Sequence, residues 1–166
     1  METREYRTID KSDWEPGPWH EEPDKRQWAD EDTGMPCLMV RNGSGALCGY
    51  VGVPKGHPLF KVEGDNYEEM SSLSVHGGIT FTASCADTPD EGSHICHVPG
   101  EGESDNIWWL GFDCSHSGDL CPKYTKIFKN MDCAMPPDYE TYKPMSYVIA
   151  ECARLAQQLQ TITSEG

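Results

Sequence analysis

The sequence predicts an α+β fold, a small and mostly antiparallel sheet with a C-terminal helix packed on it. Three observations predict it. The segment Asn42-Gly43-Ser44-Gly45 lies between two apolar runs, which is hairpin chemistry because Asn and Gly accept positive φ at low cost. The run Ile107-Trp108-Trp109-Leu110 passes through Gly111 and Phe112 and stops at Asp113, the pattern of a strand buried on both faces. Near the end of the chain, Val148, Cys152, Leu155 and Leu159 recur at spacings of four, three and four, one apolar stripe on a helix.

In chain order, residues 1–32 hold no helix or strand period and are expected to form an extended acidic arm. Its tryptophans, Trp14, Trp19 and Trp28, are too many for a solvated tail and pin it to the domain or to a partner. Residues 33–162 are expected to form a single α+β domain. It starts with the hairpin, Pro36 to Val40 and Ala46 to Val53, closed by Pro54-Lys55-Gly56-His57-Pro58. Asn66 to Met70 suits a turn or two of helix. Residues 75–84 are expected to be a strand, with Gly77-Gly78 marking a bulge or a close approach by another group. Acidic loops flank His94-Ile95-Cys96-His97-Val98. A short helix is expected near 124–130, and a final helix from Tyr147 to about Gln160, capped by Ser146.

The 166-residue chain carries a net charge of -15, which repels phosphate backbones and excludes direct DNA binding through a basic patch. Met1 to Glu5 has no apolar h-region and no apolar run reaches membrane-spanning length, so a soluble, non-exported protein without a membrane partner is expected. Without an export signal, the eight cysteines are expected to be thiols or metal ligands. Among nucleotide- and metal-enzyme signatures, the P-loop, the G-x-G-x-x-G turn, H-E-x-x-H and the zinc-deaminase pattern are absent.

The candidate chemistry lies at two stretches expected to meet in space. Asp113, His116 and Asp119 form D-x-x-H-x-x-D after the 107–113 strand, and His76 stands on the His-Gly-Gly strand. Carboxylate oxygen and imidazole nitrogen suit Zn²⁺ or another divalent transition metal, and three protein ligands with a water make a hydrolytic site. His76, Asp113 and His116 are therefore the candidate catalytic groups. His76, Asp113, His116 and Asp119 are the candidate metal ligands, with His57 at the rim. A second reading makes Cys114 a nucleophile, with His76 or His116 as its base and Asp113 orienting that base. A third is a structural zinc drawn from Cys85, Cys96, His97, Cys114 and Cys121. No C-x-x-C knuckle supports it, and a strand at 94–97 would put His97 on the opposite side from His94 and Cys96.

Taken together, Gly49-Tyr50-Val51-Gly52-Val53 with Gly56-His57-Pro58, Val75-His76-Gly77-Gly78-Ile79-Thr80-Phe81, and Trp108 to Asp119 resemble a family of small uncharacterised bacteriophage and prophage proteins, over roughly residues 35–160. The resemblance implies a phage protein working in the bacterial host cytoplasm and carries no mechanism. The function expected is metal-assisted hydrolysis. The alternative is a non-enzymatic anti-defence protein that inhibits a host nuclease or sequesters a signalling nucleotide.

Overall fold

A computed structural model describes residues 1–126 and 140–162. The fold is α+β: a six-stranded antiparallel sheet packed against a C-terminal helix. The strands are β1 (Arg4–Tyr6), β2 (Lys25–Ala29), β3 (Pro36–Arg41), β4 (Leu47–Pro54), β5 (Phe81–Ser84) and β6 (Ile107–Asp113). Two α-helices lie wholly among the described residues, α1 (Tyr67–Met70) and α2 (Met145–Thr161). Spatial order is β1-β2-β3-β4-β6-β5, so β6 enters between β4 and the edge strand β5. Among the described residues no helix is long and apolar enough to cross a membrane.

Side-chain alternation divides the core into two layers. Trp108, Leu110 and Phe112 of β6 face α2 together with Met39, Val51 and Val53. Ile107 and Trp109 face the other way, with Leu38, Cys48 and Tyr50. The stripe Val148, Cys152, Leu155 and Leu159 is fully buried over β4 and β3. Each of its leucines contributes about 1.5–3 kcal/mol by leaving water. Gly49 makes this close packing feasible. A Cβ there would sit 2.4 Å from Phe112 and 2.9 Å from the Cys152 sulfur.

The arm expected over 1–32 is part of the sheet. Residues 4–29 supply β1 and β2, and β2 pairs along its whole length with β3. The buried positions of β2 are Lys25 and Gln27 on one face and Trp28 on the other, two of them polar, which hides the strand from a hydrophobicity reading. The polar atoms of Lys25 and Gln27 are satisfied by the 91–98 loop and, for Gln27, by the Glu2 carbonyl. Lys25 Nζ donates to the carbonyls of Glu91, His94 and Cys96 at 2.6–2.9 Å. Gln27 accepts from Val98 N–H and donates to its carbonyl. Burial pushes Lys25 down to about 8, against the pull of Glu91 and Asp90, so at neutral pH it remains largely an ammonium with three carbonyl acceptors. Trp19 and Trp28 are buried.

Helix α2 starts two residues before the expected Tyr147, and Ser146 does not cap it; Pro144 occupies the cap position. The open N–H of Met145 is instead taken by the Glu22 carboxylate at 2.6 Å. An anion from the former arm thus sits at the positive end of the helix. Pro122–Tyr124 forms a 3-10 turn; of the helix expected over 124–130, positions 127–130 lie outside the described residues.

Candidate functional site

The two stretches do meet, and a glycine makes the contact. Residues 75–80 are not a strand. Gly77 (φ 71°) and Gly78 (φ 81°) both lie in the left-handed region, so the chain turns there and β5 begins only at Phe81. The His-Gly-Gly segment is therefore a turn, with Gly78 N–H bonded to the Val75 carbonyl at 2.9 Å. The group that approaches is His116. A Cβ on Gly77 would lie 2.2 Å from both Cδ2 and Nε2 of its ring. Opposite, the chain leaves β6 at Asp113 and turns through Gly118 (φ 92°), with Asp119 N–H bonded to the His116 carbonyl at 2.9 Å.

This packing carries a prediction. Gly78→Ala, where a Cβ meets open space, is expected to cost only the backbone penalty of about 1–2 kcal/mol. Gly77→Ala carries the same penalty and also displaces the His116 ring. Denaturation curves and imidazole NMR shifts of the two variants check this. Equal stabilities with unmoved His116 resonances would show that the Gly77–His116 contact plays no part.

The centre of the site is His76. Its Nε2 lies 2.7 Å from Asp119 Oδ2 and its Nδ1 lies 2.8 Å from the Tyr147 hydroxyl. A carboxylate only accepts, so Nε2 carries a proton, and in the neutral ring Nδ1 accepts the phenolic proton. Asp119 also accepts from the His116 amide at 3.1 Å and pairs through Oδ1 with Lys143 at 3.1 Å. Burial pushes the Asp119 carboxyl up. The hydrogen bonds from His76, Lys143 and the His116 amide together outweigh burial and hold it below its ordinary value. Burial, then the nearby Glu151, Cys114 and Asp119, push the Tyr147 phenol up, so it is a neutral donor at neutral pH. The Asp119 side chain is 3% exposed and that of His76 18% exposed, a buried carboxylate behind a solvent-reachable imidazole.

Helix α2 holds this arrangement with a second, polar stripe. The Glu151 carboxylate accepts from His76 N–H at 3.1 Å. Arg154 and Gln158 donate to the Ser74 carbonyl at 3.0 and 2.8 Å, and Ser74 N–H donates to Gln158 Oε1 at 2.7 Å. Tyr147, Glu151, Arg154 and Gln158 fall at steps of four, three and four. This is the spacing of the apolar stripe shifted by one residue, and it is the signal in the sequence that could have identified Tyr147 as a partner of the 74–76 turn.

Of the predicted set, His76 and Asp119 are joined and Asp113 and His116 stand apart. Asp113 accepts from Thr80 Oγ1 at 3.1 Å and from Ser115 N–H at 3.1 Å. With Thr80 and Ser115 it lines a cleft of about 360 Å³ beside Tyr50 and Phe81. His116 Nε2 lies 3.3 Å from Asp113 Oδ1 but has no aligned hydrogen-bond partner. The rings of His76 and His116 are 6.2 Å apart at their centroids. Among the described residues these four are not a group whose donor atoms all lie within 4.8 Å of one another, and His76 and Asp119 are engaged with each other. His57 is not at the rim. Its Nδ1 accepts from Leu59 N–H and its Nε2 donates to the Leu159 carbonyl at 2.8 Å, closing the C-terminal end of α2. Cys114 is buried, and desolvation followed by the charge of Asp119 pushes its thiol far up, which leaves it inert as a nucleophile.

Among the described residues, one trio has all its donor atoms within 4.8 Å of one another and could hold a metal: Cys85, Cys96 and His97. No strand forms at 94–97, so Cys96 and His97 are not sent to opposite faces as expected. Cys85 and Cys96 are joined as a disulfide, a correction to the all-thiol expectation. Of the remaining cysteines, Cys133 lies outside the described residues.

No family model, curated protein or solved structure matches this chain.

Proposed function

We propose that the chain is a hydrolase whose site is an acid–base relay, Tyr147–His76–Asp119. The observation that carries this reading is the single imidazole bonded on one nitrogen to a buried carboxylate and on the other to a neutral phenol. Asp119 fixes the tautomer that leaves Nδ1 free to take a proton. His76 takes that proton as the Tyr147 oxygen attacks the ester carbon or phosphorus, gives it to the leaving alcohol as the ester bond breaks, and then takes a proton from the water that cleaves the tyrosyl ester and returns it to the phenol. Lys143 keeps Asp119 ionised while His76 is charged. The metal-assisted form of this chemistry finds no shared ligand set at the D-x-x-H-x-x-D turn. For the metal expectation, Cys85, Cys96 and His97 are the trio whose donor atoms lie close together among the described residues, with two of its sulfurs joined. A bacteriophage origin and the host cytoplasm as the place of work belong to the same proposal.

The test is hydrolysis of a panel of chromogenic carboxylic and phosphoric esters by the full chain and by Tyr147→Phe. The variant is expected to lose about a hundredfold in rate while its fold is unchanged. A wild-type protein that turns over none of the esters, or a Tyr147→Phe variant as fast as wild type, overturns the reading.

One observation favours a second reading, an acidic anti-defence protein that occupies the basic groove of a host nuclease or, in a variant form, sequesters a signalling nucleotide. The net charge is -15, and Glu63, Asp65, Glu68 and Glu69 are all exposed in one short segment. Glu22 and Asp24 do not add to such a surface, because they are buried in ion pairs, and Trp19 and Trp28 are buried as well. Reversing the charge of residues 63–69 separates the readings. Inhibition of a nuclease that fails in this variant and survives Tyr147→Phe would select the second.

A further inference from the structure

We propose that Cys85, Cys96 and His97 form a redox-gated site for a soft divalent metal ion, closed while the two sulfurs are joined and open once they are reduced. Thiolate and imidazole donors suit Zn²⁺ and its spectroscopic substitute Co²⁺. Their donor atoms already lie within 4.8 Å of one another, so no large rearrangement separates the two states.

The sulfurs are held in place by more than their own bond. Ala86 N–H bonds to the Ile95 carbonyl at 3.1 Å, tying together the two segments that carry the cysteines. Lys25 Nζ grips the carbonyls of His94 and Cys96, and Gln27 grips both polar groups of Val98. Reduction therefore leaves two thiols that remain neighbours. The Trp109 indole N–H points at Cys85 Sγ at 3.3 Å. A donor in that position favours an anionic sulfur over a neutral one, as second-shell donors do at metal–thiolate sites. The Trp109 ring also meets His97 edge to face at 5.4 Å and fixes the imidazole, whose Nδ1 is 3.9 Å from the same sulfur. On its other side His97 forms part of the wall of a cleft of about 570 Å³ with Lys55, Glu103 and Asn106, so solvent reaches the cluster from the imidazole side.

The chemistry balances with a dithiol as reductant. It supplies two electrons and two protons, the Cys85–Cys96 bond breaks, two S–H bonds form, and the dithiol leaves as its own disulfide. The incoming ion then releases both thiol protons to solvent and makes two metal–sulfur bonds and one metal–nitrogen bond. A water completes the tetrahedron. The proposal does not depend on the Tyr147–His76–Asp119 reading.

The full-length chain is reduced with dithiothreitol, freed of it under argon, and titrated with Co²⁺; a second sample is titrated oxidised. Reduced protein is expected to take one Co²⁺ with a thiolate-to-cobalt charge-transfer band and the intense visible absorption of tetrahedral cobalt, and oxidised protein to show neither. His97→Ala should weaken binding by at least about tenfold, and Cys85→Ser/Cys96→Ser should remove the band. A reduced chain that shows no such band, or one equal to that of the double variant, overturns the proposal, because other thiols would then account for it. Loss of the folded circular-dichroism spectrum on reduction overturns it too, since the bond would then be a structural staple. The reduced–oxidised comparison uses no substitution, so it decides even if a variant fails to fold.

Discussion

Arg41→Met is expected to destabilise the fold by about 3–5 kcal/mol, the cost of leaving buried charges without their partner. The Arg41 side chain is fully enclosed. Its Nε donates to Asp24 Oδ1 at 2.9 Å, and Nη1 donates to the Gly45 carbonyl and the Tyr142 hydroxyl, each at 2.9 Å. Glu22 lies 3.6 Å from Nη2, accepts from Tyr142, and caps α2 through Met145 N–H. One guanidinium thus ties together the hairpin turn, the segment before β2 and the start of the helix. Lys is a poor replacement because an ammonium cannot span these acceptors in one plane.

Asp24 adds a pH dependence to the same cluster. Burial pushes its carboxyl up, but Lys11, the amides of Ile9 and Thr8, and Arg41 together hold it below its ordinary 3.8. A lowered folded value means that Asp24 stabilises fully above 3.8 and that this contribution is lost as pH falls through the folded value. Urea denaturation of wild type and Arg41→Met at pH 7 and at pH 3 checks both statements. The gap between the two proteins should be large at pH 7 and smaller at pH 3. A gap below 1 kcal/mol at pH 7 would show the cluster to be dispensable.

Elements whose signal is local were legible in the sequence. The Asn42–Gly45 turn, the β6 run and the α2 stripe each rest on residues close together in the chain, and each formed where the pattern put it. Strand β2 was not legible, because its buried residues Lys25 and Gln27 are polar and take partners in a loop some 70 residues away. No pattern in one sequence announces that partnership. The site divides along the same line. Gly77-Gly78 and the ligand-type residues after Gly111 marked the two segments that meet, and His76 and Asp119 came together. Asp113 and His116 did not join them, because the turn after β6 directs Asp113 toward Thr80 and lays His116 across Gly77. Equal spacing in sequence does not set side-chain direction once the backbone leaves regular structure. Tyr147 was missed because it reads as helix surface until the 74–76 turn is seen lying on it.

Asp119→Asn is expected to lower hydrolytic turnover by about 10⁴-fold, the effect of the same substitution in a Ser-His-Asp triad. The argument turns on one proton. As a carboxylate, Asp119 can only accept from His76 Nε2, so the ring keeps its proton there and presents a bare Nδ1 to Tyr147. An asparagine amide can donate to Nε2 instead, which moves the ring proton to Nδ1. That nitrogen then faces the phenol as a donor and cannot act as a base. The ion pair with Lys143 is lost as well, so a charged His76 would have no counter-charge. A stability cost accompanies the change, and its pH dependence is specific. The Asp119 carboxyl lies below its ordinary 3.8 in the folded chain, so its stabilisation is present above 3.8 and lost as pH falls through the folded value. The difference in stability between wild type and Asp119→Asn should therefore shrink on acidification, while the difference in turnover persists at neutral pH. Imidazole ¹⁵N shifts separate this account from a purely structural clasp. Wild type should show the proton on Nε2 of His76 and the variant should show it on Nδ1. A variant that keeps the Nε2 tautomer and the wild-type rate, losing only stability, would leave the trio a clasp between α2 and two turns, and the relay would have to be given up.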